Sequence, residues 1–183
     1  VGLVSIPIII DIYGNELFSL YSLSVAYLVG LNYLNLGIST NVIRELNYLN
    51  ISQKNERASL VWTGLFLILT LSLIIMGVFI FLVTELYHYL VGLSLSKEII
   101  LDFTIQVILI TPLAFLSIYF RAILESELSF HITSSNRAII NSLLLSSPLL
   151  VSFLGLKFQD IPILILISTE IPIEIYFIWI IIN

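Results

Sequence analysis

Pro7–Glu45 reads PIIIDIYGNELFSLYSLSVAYLVGLNYLNLGISTNVIRE, and its alternation of apolar and polar blocks decides the fold. It opens on Ile8-Ile9-Ile10, the end of a first apolar run. Asp11 to Glu16 follows, with the first charges of the chain and with Gly14, a residue that takes positive φ without a steric penalty. A second apolar block runs from about Phe18 to Gly37, and charge returns at Arg44-Glu45. A bilayer is crossed by roughly 20 apolar residues in a helix. Two such helices joined by a short glycine-containing turn predict a helical hairpin in a membrane.

The rest of the chain agrees. Of its 183 residues 59% are hydrophobic and 10% charged, and the mean hydropathy is +1.11. A soluble domain carries about 25% charged residues, so this chain cannot cover a water-facing surface. It has no cysteine, which excludes disulfides and thiolate metal sites. The two histidines, His88 and His131, lie far apart, and no Gly-rich phosphate loop is present, so neither a metal nor a cofactor is expected. The net charge of −5 counts against nucleic acid as a partner.

Apolar runs place six helices. The first, 1–10, is half of a span. It carries no basic leader, so the chain is expected to be a fragment that begins inside its first helix. The others are expected at 18–37, 60–83, 103–120, 138–156 and 161–182. Leu60–Val83 has no charge and gives the strongest single span. Thr40–Ser59, with Ile43, Leu46 and Leu49 at helical spacing among charges, reads as an amphipathic helix on the membrane surface. Thr111-Pro112 interrupts the fourth helix, and Arg121 is expected to stop it. Arg44, Lys54, Arg57, Arg121 and Arg137 fall in alternate loops, against Lys97 and Lys157 on the other side. The positive-inside rule makes the richer side cytoplasmic. The expected fold is therefore an all-α integral membrane protein. It is a single bundle of about six transmembrane helices over residues 1–183, the first truncated.

Two polar features stand out. In the second helix Tyr21, Ser24, Leu28, Asn32, Asn35 and Ser39 share one face at 3.6-residue spacing. Asparagine in a membrane helix needs a partner or a wet cavity, so this face either lines a path or bonds neighbouring helices. In the sixth helix, Ser168-Thr169-Glu170-Ile171-Pro172-Ile173-Glu174 sets two carboxylates one turn apart. A charge at mid-span costs at least about 2.5 kcal/mol, and Pro172 leaves the Ser168 carbonyl without its helical N–H. Glu170, Glu174 and Ser168 are thus candidates for a cation or proton site. The other reading is pairing with an arginine elsewhere or the lining of a wet cavity.

Tyr13-Gly14-Asn15-Glu16-Leu17-Phe18-Ser19-Leu20-Tyr21-Ser22-Leu23 resembles the first hairpin of bacterial polysaccharide flippases, members of the multidrug/oligosaccharidyl-lipid/polysaccharide transporter superfamily. Asn35-Leu36-Gly37-Ile38 followed by Arg44 resembles the stretch that closes their second helix, with Asn35 where the family pattern has aspartate. Arg121-Ala122-Ile123-Leu124-Glu125, with Phe130 and Asn136, is similar to the link between their fourth and fifth helices. The resemblance implies one lobe of a two-lobed transporter of the bacterial inner membrane. It implies a carrier rather than an enzyme, one that moves an undecaprenyl-diphosphate-linked oligosaccharide to the outer leaflet for surface polysaccharide such as O-antigen. Its partners would be the lipid-linked oligosaccharide, membrane lipids, a C-terminal second lobe and other polysaccharide-assembly proteins. One lobe alone is not expected to transport. An anionic lipid diphosphate calls for cations, and Arg44 and Arg121 are the best placed, although no arginine or lysine falls deep inside an expected span. The rivals are a cation-coupled multidrug exporter of the same superfamily and a membrane polymerase or ligase of glycan assembly.

Overall fold

The computed structural model describes residues 2–35, 37–49, 53–90, 96–126 and 130–166, with side chains omitted at residues 2–4, 86–90, 126, 130–133, 135–137 and 139. Among these residues seven α-helices follow one another: α1 (Gly2–Leu34), α2 (Ile38–Tyr48), α3 (Lys54–Leu90), α4 (Lys97–Leu109), α5 (Thr111–Ser126), α6 (Phe130–Phe153) and α7 (Ile161–Ile165). A 3-10 turn, Phe158–Asp160, precedes α7. Among the described residues there is no strand. Among the described residues three stretches are long and apolar enough to cross a membrane: Ser5–Leu34, Lys54–Glu85 and Lys97–Glu125.

The expected hairpin of two helices joined over Asp11–Glu16 is replaced by one helix, α1, with a kink at a single residue, because the flanking residues keep helical geometry. Gly14 alone leaves helical geometry (φ 80°, ψ 168°), and helix continues on both sides of the kink. An L-residue would be strained at that φ, while no neighbouring atom lies where its Cβ would go. The amphipathic stretch also divides differently. Lys54, Glu56 and Arg57 belong to the first turns of α3, a helix of 37 residues. At about 1.5 Å per residue it is roughly 55 Å long, well over the bilayer's roughly 30 Å hydrocarbon core. Of the expected stripe Ile43, Leu46 and Leu49 only Leu46 is buried; the face of the short α2 that packs on protein is Ser39, Val42 and Leu46. Its last carbonyls, those of Leu46 and Leu49, accept from Arg57 Nη1 at 2.9 and 3.4 Å.

Two apolar clusters hold the bundle. One joins Leu31, Val42, Leu46 and Ile68 to Phe115, Tyr119 and Ile123, so that α5 lies against α2 and α3. Phe115, Tyr119 and Ile123 recur every four residues and form one stripe of α5. The other joins Leu20 and Tyr21 to Phe103 and Val107 of α4, to Leu144 and Val151 of α6, and to Phe158, Ile161 and Ile165. Within it Phe158 stacks on Phe103 with centroids 4.8 Å apart and meets the Tyr13 ring edge-on at 5.3 Å.

The helices α2, α3 and α5 approach one another closely at Gly64. A Cβ there would lie 2.5 Å from the Tyr119 hydroxyl and 2.8 Å from Val42 Cγ2. The bare glycine lets Tyr119 reach across to donate to the Val61 carbonyl at 2.6 Å. Such close approach is how helices associate where lipid removes the apolar driving force.

Candidate functional site

Arg121 was expected at the end of a helix and lies inside one. Arginine is a good helix former, and α5 continues five residues beyond it, with Ala122, Ile123 and Leu124 all buried. The stripe of α5 opposite Phe115–Tyr119–Ile123 is Ala114, Ser117, Ile118 and Arg121, spaced at three, four and seven residues. It faces a cavity of about 240 Å³. From α1 come Leu28 and, one turn on, Asn32; from α6 come Ile140, Asn141 and Leu144. Ile165 of α7 completes the wall, so the lining draws on both apolar clusters.

The polar groups are few and concentrated. Asn32 spends its amide N–H on its own helix, donating to the Val29 carbonyl at 3.0 Å. Ser117 is 1% exposed, and its Oγ has no hydrogen-bond partner among the described residues. An unpaired buried hydroxyl costs about 1–3 kcal/mol. Other buried serines avoid that cost by donating to their own helix, as Ser24 does to Leu20 at 3.0 Å and Ser147 to Leu144 at 2.9 Å. Ser117 sits one turn before Arg121 on the same face. A guanidinium, a hydroxyl and two asparagines thus line one cavity among apolar side chains. That arrangement suits an anionic or strongly polar group attached to an apolar body.

The sequence-predicted residues therefore separate. Asn32 and Arg121 meet at the cavity. Asn35 closes the link from α1 to α2: its Oδ1 accepts from the Gly37 N–H at 2.8 Å, and its carbonyl accepts from the Ile38 N–H at 3.0 Å. Arg44 lies on the outer face of α2, where it pairs with Glu45 at 3.1 Å with both side chains exposed. Ser168, Glu170 and Glu174 lie outside the described residues. The polar face of the second helix divides too, since Tyr21 and Ser24 are buried in packing while Leu28 and Asn32 reach the cavity.

Three tyrosines of α1 do what the sequence did not disclose. Proline has no N–H, so the carbonyl four residues before it loses its helical partner. Pro148 frees Leu144, whose carbonyl accepts instead from the Tyr21 and Ser147 hydroxyls. Pro112 frees Ile108, whose carbonyl accepts from Thr111 Oγ1 at 2.6 Å. Thr111 Oγ1 lies 2.6 Å from the Tyr27 hydroxyl, so Tyr27 donates into it. Tyr13 donates to the Pro148 carbonyl at 3.0 Å. The signal was present in the two prolines; the partners lay up to 135 residues away.

Among the described residues no group of histidine, cysteine, aspartate and glutamate could hold a metal ion. No protein-family model, curated protein or solved structure matches the chain.

Proposed function

We propose that this chain is the substrate-loading lobe of an inner-membrane carrier, crossing the bilayer several times, that moves a lipid-linked oligosaccharide from the inner to the outer leaflet. The observation that carries the reading is the cavity between α1, α5 and α6. It sets Arg121, Ser117 and Asn32 against apolar walls in a bundle with three membrane-length helices. A diphosphate-linked lipid is an anion on a long apolar chain. Arginine recognises phosphate oxygens with paired N–H groups. At about 240 Å³ the cavity lies below the roughly 300–1,000 Å³ of sites that enclose a whole drug-sized ligand. It suits one head-group moiety, with the glycan and the lipid tail extending beyond it.

The test is deletion of the gene, followed by assay of lipid-linked oligosaccharide in each leaflet. The expected result is accumulation of complete repeat units on the cytoplasmic side with loss of surface glycan. A normal lipid-linked pool overturns the proposal. So do repeat units that reach the outer leaflet but are never lengthened, which is the behaviour of a missing polymerase.

A further inference from the structure

Pro148 divides α6, and the cavity lies on the side before it: Ile140, Asn141 and Leu144 line the wall, all upstream of the proline. The stretch after it, Leu149–Phe153, runs into the turn that leads to α7, with Val151, Phe158 and Ile161 in one cluster. An interior proline removes one helical hydrogen bond and crowds the carbonyl four residues earlier, so bending is easiest there. That carbonyl belongs to Leu144, which is itself part of the cavity wall. It is bridged to α1, the helix that supplies the facing wall at Leu28 and Asn32, by the hydroxyl of Tyr21, which lies in the packing below the cavity lining. A second bridge, from Tyr13 to the Pro148 carbonyl, sits at the pivot, where a bend moves it little. The Tyr21 bond is thus the one of the two that a bend at Pro148 must break.

We infer that α6 is a hinged wall of the cavity, pivoting at Pro148 and latched closed by the hydrogen bond from Tyr21 to the Leu144 carbonyl. Bending the stretch before Pro148 away from α1 widens the space beside Ser117 and Arg121. Straightening it restores the bond. The hinge deepens the loading reading and rests on it for its purpose. Its test reads helix motion rather than transport, so either can fail alone.

The chain has no cysteine, which makes single-cysteine reporters direct. Ser117→Cys places a thiol on the cavity wall. Ser72→Cys places one at a site that is also fully buried, in α3, a helix that packs mainly on α2, α4 and α5 rather than on α6. Each reporter is labelled in membrane vesicles with a small water-soluble methanethiosulfonate. Tyr21→Phe keeps the ring and deletes the latch. It is expected to speed labelling of the Ser117→Cys reporter about five-fold, the effect of one net hydrogen bond, and to leave the Ser72→Cys rate unchanged. Pro148→Ala returns an N–H to the Leu144 carbonyl and stiffens the helix, so it is expected to slow labelling of the Ser117→Cys reporter. Faster labelling of both reporters in the Tyr21→Phe chain means general loosening and overturns the hinge. An unchanged Ser117→Cys rate in either variant overturns it as well.

Discussion

Of the three membrane-length stretches among the described residues, the most apolar, in α3, is also the least buried: 11% of its core stretch is covered, against 44% of the α4–α5 pair. Trp62, Phe66 and Phe81 of α3 stand 64–70% exposed, while Phe103, Phe115 and Tyr119 are fully enclosed. In water that order would be reversed. In lipid an exposed phenylalanine costs nothing, and what must be enclosed is polar backbone and side chain. The two regions accordingly use different devices. On its outward face α3 satisfies its hydroxyls locally, as Thr70 does by donating to the Phe66 carbonyl at 2.8 Å. The α1–α5–α6 side bonds between helices through tyrosines and prolines.

The sharpest contrast is between two phenylalanines. Phe115→Ala empties a fully buried position of α5 and is expected to cost about 3–5 kcal/mol. Phe66→Ala on the open face of α3 should change stability by no more than about 0.5 kcal/mol. Reversible unfolding in mixed micelles measures both; equal losses would break the comparison.

Two glycines of α3 sharpen it next. Gly64→Ala drives a methyl into the Tyr119 hydroxyl and Val42 and should cost about 1–3 kcal/mol, the usual penalty of overpacking. Gly77→Ala meets nothing within 4 Å and should stabilise by up to about 1 kcal/mol through helix propensity. Opposite signs on one helix are the expected result of the same unfolding assay.

Tyr119→Phe comes third. It removes the bond to the Val61 carbonyl and should cost about 0.5–1.5 kcal/mol. Thr70→Ala, whose hydroxyl serves its own helix, should stay within about 0.5 kcal/mol. If the threonine matters as much as the tyrosine, hydrogen bonding between helices is not what holds α5 to α3.

Elements with one dominant local cause were legible in the sequence. Leu60–Val83 is unbroken apolar sequence, and α3 runs through it. Gly14 marks the break in α1 because it takes a conformation other residues avoid. The amphipathic character of α2 was visible, but its packed face was not: protein covers Ser39, Val42 and Leu46 rather than the expected Ile43, Leu46 and Leu49. Arg121 was misread because a cation among apolar residues usually ends a span. Inside the bundle it keeps a polar setting beside Ser117, and the chain stays helical past it. The tyrosine bridges were out of reach, because Tyr21 and Leu144 are 123 residues apart and periodicity says nothing about such pairs.

The central claim is that Arg121, and not Arg44, meets the substrate. The direct measurement is translocation of lipid-linked oligosaccharide in cells carrying Arg121→Gln or Arg44→Gln, at matched protein levels in the native membrane. Losing one charge-assisted contact to an anion is worth about 1.5–3 kcal/mol, so Arg121→Gln is expected to lower translocation by at least about ten-fold. Arg44→Gln, which breaks an exposed pair with Glu45, is expected to leave it unchanged. Equal effects of the two substitutions, or full activity of Arg121→Gln, would contradict the account.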